Sequence, residues 1–180
     1  MYKVYPKIIL ACLLLVMTGT VYSQRVTQTI NDGWKFSLFE GDASTADFDI
    51  SGWTDVSIPH TWNAKDADDE IPGYFRGKGW YRKVVAVEEL IPEQRVYLSF
   101  EGANQETNVF VNGTFVGNHK GGYSAFTFDV TDYVHAGRNL IAVSVDNSHN
   151  PDIAPLSADF TFFGGIYRDV YLVYTSPVQL

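Results

Sequence analysis

"TNVFVNGTFVGNH", residues 107–119, decides how the rest of the chain is read. Asn112-Gly113 is a pair that tolerates the positive φ angles of a two-residue turn, and it joins Val109 and Val111 to Phe115 and Val116. Two short alternating runs across such a turn form an antiparallel hairpin, not a helix. Asn112-Gly113-Thr114 is also a glycosylation sequon, but the turn accounts for these residues without a glycan.

The same alternation recurs on both sides of the hairpin. In "RVYLSFEG", residues 95–102, Val96, Leu98 and Phe100 share one face, while Arg95, Tyr97, Ser99 and Glu101 take the other. "NLIAVSVDN", residues 139–147, repeats the pattern with Ile141, Val143 and Val145 inward. "WYRKVVAV", "SAFTFDV" and "RDVYLVY" complete a set of central strands, and no helix-period segment of useful length appears after residue 23. Regularly spaced antiparallel strands predict an all-β chain folded as a jelly-roll β-sandwich. Two stretches read as surface loops: "NAKDADDEIPGYFRGKG", residues 63–79, and "NSHNPDIAPLSAD", residues 147–159. Long loops on a rigid sandwich are where binding concentrates.

The first residues read as an address. Lys3 and Lys7 precede an apolar run from Ile8 to Met17, and Thr18 to Ser23 are small or turn-prone. Residues 1–23 are therefore expected to be a secretory signal peptide cleaved before Gln24, since the run is well short of the ~20 residues that span a bilayer. The expected location is the bacterial periplasm or the extracellular space, with no membrane attachment after cleavage. Cys12, the only cysteine, sits in "ILAC", which weakly resembles a lipoprotein site. The apolar stretches around it have the wrong lengths for that role, and no lipid anchor is expected. Residues 24–180 then form one domain of about 157 residues, enough to bury a core and free of thiols.

Thirteen Lys and Arg face 21 Asp and Glu, a net charge of −8. Losing Lys3 and Lys7 makes it about −10. A nucleic-acid partner would need a basic excess, so it is excluded, whereas an uncharged ligand such as a sugar fits. The 15% aromatic content agrees, because rings stack on the apolar faces of pyranoses, although large β cores are aromatic anyway.

Candidate chemistry is sparse. Asp66, Asp68, Asp69 and Glu70 start like a calcium loop, but Ile71 stands where an EF-hand needs glycine and Gly77 where it needs glutamate. A solvated acidic loop is the default, with a looser calcium site as its alternative. His60, His119, His135 and His149 are too scattered for zinc, and no nucleophile elbow is present. Glycoside hydrolysis needs two carboxylates, about 5 Å apart in retaining enzymes. The loop acids Asp66, Asp68, Asp69, Glu70, Asp152 and Asp159 lie in no pattern that marks a general acid. "GYFRGKGWYRK", residues 73–83, is more specific: Gly77 and Gly79 permit a tight turn that holds Arg76 and Lys78 at its mouth. Its plain alternative is a connection whose Trp80 plugs the sandwich. Asp159, in "ADFTFFGGIYRDVYLVY" at residues 158–174, either caps a turn, pairs with Arg168, or faces a ligand between aromatic walls.

Six segments in order, "NDGWKFSL", "SIPHTWN", "GKGWYRK", "LSFEGANQETNVFVNGTFVGNHKGGYSAFTFDVTDYV", "NLIAVSVDN" and "DFTFFGGIYRDVYLV", resemble the amino-terminal sugar-binding domain of the family-two glycoside hydrolases. That group includes β-galactosidases, β-glucuronidases and β-mannosidases, and the match looks most like the β-galactosidase branch. The resemblance implies a jelly-roll sandwich that, in complete members, precedes an immunoglobulin-like domain and a TIM barrel. Both catalytic glutamates of the family lie on that barrel and act with retention. Neither is among these 180 residues, which are expected to be inactive by themselves, as a fragment of an enzyme or a truncated product.

The resemblance assigns substrate binding to Asp159, six residues before Gly165 in "GIYRDV", and extends it to Arg76, where some members carry asparagine. Asp159 would also be a sodium ligand in some members. No cofactor is expected within this piece, with Na+ or Mg2+ reserved for a complete enzyme. The expected partners are a carbohydrate substrate and the barrel of the same chain, and an oligomer is compatible with the family. A free-standing carbohydrate-binding module and a purely structural domain are the alternatives.

Overall fold

The computed structural model describes residues 25–66, 73–157 and 161–176. Among these residues there is no helix, and ten strands form two antiparallel sheets. In chain order the strands are β1 (Arg25–Thr29), β2 (Trp34–Leu38), β3 (Thr54–Val56), β4 (Lys78–Val87), β5 (Arg95–Phe100), β6 (Glu106–Val111), β7 (Thr114–Lys120), β8 (Phe126–Asp129), β9 (Gly137–Asp146) and β10 (Val170–Thr175). One sheet runs β1-β10-β5-β8 and the other β3-β2-β4-β9-β6-β7. The expected sandwich is present. The signal-peptide residues 1–23 and Cys12 lie outside the described residues.

The inner faces follow the period-2 pattern of the sequence. Val96, Leu98 and Phe100 of β5 and Ile141, Val143 and Val145 of β9 are buried in one core with Trp34, Tyr81 and Leu172. Burying each such side chain contributes roughly 1.5–3 kcal/mol, so this core dominates the stabilisation of the fold. Trp34, wholly buried, plugs the sandwich, and its Nε1 donates to the Ile30 carbonyl at 2.7 Å. Trp80 does not play that part. It points from the outer face of β4 into a smaller cluster with Ala43 and Ala142, against Phe48, Trp53 and Phe110. Its Nε1 donates to the Gly41 carbonyl at 3.0 Å. The segment between β2 and β3 thus covers part of the outer face of the larger sheet.

The 112–113 turn is where the sequence places it, with Val111 paired to Thr114, Asn112 at φ 51° and Gly113 at φ 82°. The Asn112 side chain is committed to protein contacts. Its Nδ2 donates to the Tyr133 carbonyl and to Asn139 Oδ1, both at 2.9 Å, and its Oδ1 accepts from the Leu140 amide at 2.9 Å. Buried Asn139 in turn ties down the β8–β9 connection through the His135 and Gly137 carbonyls. Both Asn112 amide protons are thus engaged, and the sequon is a turn. N112A is expected to lower the free energy of unfolding by about 2 kcal/mol in urea titrations, from lost hydrogen bonds and a strained φ. A loss below about 0.5 kcal/mol would show these contacts to be dispensable.

Candidate functional site

Lys78 at the start of β4 pairs with Asp146 at the end of β9, so the chain enters one strand beside the point where it leaves the other. The loops on either side therefore meet at one end of the sandwich. An isolated bridge between Asn104 and Gly165 brings in the segment that leads to β10.

A pair of buried amides joins these segments. Asn147, the first residue after β9, accepts on Oδ1 from the Gly77 amide at 2.9 Å. Its Nδ2 lies 3.2 Å from the Phe75 carbonyl, 3.1 Å from the Phe162 carbonyl and 3.2 Å from Asn63 Oδ1. Asn63 Oδ1 also accepts from the Gly164 amide at 2.6 Å, and its Nδ2 donates to the Phe75 carbonyl and to Asp66 Oδ2, both at 2.7 Å. Each asparagine is 1% exposed. Buried backbone groups must find partners, and at this end, where strand pairing has stopped, two side-chain amides supply them.

Asp66 is part of the same framework, because its Oδ2 accepts from the Phe75 amide at 2.7 Å. It fastens the 73–77 loop. Asp68, Asp69 and Glu70 lie outside the described residues.

The Gly164-Gly165 pair answers a packing demand. A Cβ on Gly164 would lie 2.1 Å from the Trp62 ring, and one on Gly165 would lie 2.6 Å from the His60 carbonyl. Gly165 also adopts φ 119°, which side chains rarely tolerate.

Arg76 projects from this framework and is exposed. Its guanidinium carbon lies 4.7 Å from the centre of the Tyr74 ring and 5.3 Å from that of Phe162, and its Nη2 donates to the Tyr74 hydroxyl. Two rings from different segments therefore support one cation, which forms no ion pair among the described residues. Asp159 lies outside the described residues, and Phe162 follows it by three positions in the chain. Arg168, the pairing partner that the sequence offers for Asp159, lies over the Tyr167 ring at 5.6 Å. Nearby, Asn104, Tyr123, Thr161, Phe163 and Tyr167 line an open groove of about 190 Å³. Beneath the loops, His60 Nδ1 and the Tyr81 hydroxyl are 2.8 Å apart. Burial holds the imidazole below its ordinary value and pushes the phenol far above its own.

The family described as "Glycosyl hydrolases family 2, sugar binding domain" matches residues 27–177. The chain belongs to this sugar-binding-domain family. The sugar-binding domain is 38% identical over 166 residues to a β-glucuronidase of Bacteroides fragilis, covering 90% of this chain and 22% of that protein. It is 40% identical over 157 residues to a β-galactosidase of Thermoanaerobacter pseudethanolicus, covering 82% of this chain and 19% of that protein. A solved β-glucuronidase of Bacteroides uniformis superposes with a TM-score of 0.77 at 46% identity, over 84% of this chain and 18% of that one. The chain thus spans about a fifth of the length of these relatives.

For this sugar-binding domain, Arg76 was legible as a candidate, whereas Asn63 and Asn147 carried no local signal. Each looks like an ordinary turn residue until its partner, 84 positions away, is in place. Among the described residues, no group of three or more His, Cys, Asp and Glu side chains is placed to share a metal ion, and Asp159, the sodium candidate, is not one of them.

Stability should depend on pH through His60. With the folded imidazole held below 6.5, the unfolded chain binds more protons as the pH falls past that value, and stability is lost. The unfolding midpoint is expected to fall between about pH 7.5 and 5.5, and less steeply in H60Q, which keeps a hydrogen-bonding partner for Tyr81. Part of the slope should persist through His119, whose imidazole burial also depresses. Equal slopes in the two proteins would rule out His60 as the source.

Proposed function

We propose that this chain is the amino-terminal sugar-binding part of an exported, retaining β-glycosidase, and that it completes the pocket for the terminal sugar beside a catalytic barrel in the same polypeptide. The observation that carries this reading is the loop end of the sandwich, where Arg76 is held by two rings on clamped backbone, in a member of a sugar-binding-domain family. Asp159 would accept hydrogen bonds from two sugar hydroxyls at once, and Arg76 would donate to a sugar oxygen. The barrel would supply the acid/base and nucleophilic glutamates. Sodium or magnesium, where a complete enzyme holds one, would draw most of its ligands from outside this piece.

The substrate proposed first is a terminal β-galactoside, after the branch that "GIYRDV" resembles. A terminal β-glucuronide is the second reading. It is favoured by the guanidinium of Arg76, which forms no ion pair among the described residues and suits a uronate carboxylate, and by the β-glucuronidases among the relatives.

Purified residues 24–180 are expected to show no turnover of nitrophenyl β-galactoside or β-glucuronide, and turnover would overturn the pocket-completing reading. In the complete enzyme, D159N should lower kcat/KM by about 10- to 100-fold, the cost of losing charged hydrogen bonds to the substrate. An unchanged kcat/KM would instead favour a structural domain. Calorimetry on the isolated domain separates the third class, because a free-standing module should bind a glycan with at least roughly millimolar affinity.

A further inference from the structure

We infer that Asn147 is a positioning residue for sugar recognition, holding Arg76 in place by fixing the peptide groups on both sides of it together with the segment that carries Phe162. The inference rests on the proposed role of Arg76 and adds to it the residue through which that role depends on the fold.

The geometry is specific. Asn147 Oδ1 takes the amide of Gly77, the residue after Arg76, while Nδ2 reaches the carbonyl of Phe75, the residue before it. The same Nδ2 reaches the carbonyl of Phe162, whose ring supports the guanidinium. One side chain therefore sets three of the coordinates that decide where an exposed, flexible cation sits. Asn147 is itself immobilised, since it is 1% exposed, follows β9 directly and bonds to Asn63. A long side chain on a loop recognises a ligand well only when its own freedom has been removed beforehand. Asn63 backs the arrangement from the other side by holding the Phe75 carbonyl and the Gly164 amide.

A bland role for Asn147, satisfying buried backbone and nothing more, makes a different prediction about coupling to Arg76. N147D keeps the shape and the acceptor for Gly77 but sets carboxylate oxygen against the Phe75 and Phe162 carbonyls. The test is a double-mutant cycle in the complete enzyme with R76A, N147D and the pair, assayed on nitrophenyl β-galactoside and β-glucuronide with melting temperatures measured alongside. R76A and N147D should each raise KM by about 10-fold or more with kcat within about 3-fold, because both act on binding. The double variant should be no more than about 2-fold worse than R76A, since with Arg76 gone there is nothing left to position.

Multiplicative effects, or an N147D variant that loses melting temperature while its KM stays at the wild-type value, would overturn the inference and leave the proposed function standing. An R76A enzyme with wild-type KM on both substrates would instead strike the proposed role of Arg76, and the inference would fall with it. If N147D does not fold, N147S, which removes both amide donors without adding charge, takes its place in the cycle.

Discussion

Ten residues of β4 pair with ten of β9 without a break, from Lys78 opposite Asp146 to Val87 opposite Gly137, and the rest of the molecule is arranged around that ladder. It forms the middle of the larger sheet, so its inner face must be apolar and its outer face needs partial cover. Tyr81 and Val143 meet one demand, and Trp80 and Ala142, under the segment between β2 and β3, meet the other. Just beyond the last ladder pair, the Asn147 amide still donates to the Gly77 carbonyl at 3.2 Å, but the Gly77 amide finds no backbone partner there and is taken by the Asn147 side chain. The amide framework at the loop end is the continuation of the ladder by other means.

How far the sequence revealed this follows from what each segment buries. The alternation in 95–102 and 139–147 could be read because a half-buried strand writes its two faces into alternate positions. β1 could not be read in that way: all five residues of "RVTQT" are exposed, and its place is fixed by pairing with β10 alone. β3, only three residues long, has no room for a pattern. For Trp80 and Tyr81 the period separates two faces but does not say which is inside, and the larger ring went outward. What decides between them is the cover supplied by residues around 41–53, far away in the chain.

The loop end divides along similar lines. A guanidinium between aromatics and glycines stands out in a sequence because few loops need that combination. An asparagine just past a strand does not, because asparagine is common in turns for reasons of its own. Asp66 illustrates the converse, an acid that looked available for a cation and is instead occupied by an amide and a backbone N–H. The acidic character of this loop is thus partly architectural.

The pairing of β1 with β10 also fixes how the domain is tethered. Arg25 lies opposite Thr175, so the chain enters and leaves the fold side by side, at the end of β10 remote from Gly165. Six residues of strand separate that exit from the loop end, a span of roughly 20 Å. Any domain linked downstream would begin at the far end of the sandwich and would have to double back along it to reach Arg76. The sandwich would then act as a spacer as well as a binding surface, setting how far apart two cooperating parts of one polypeptide are anchored.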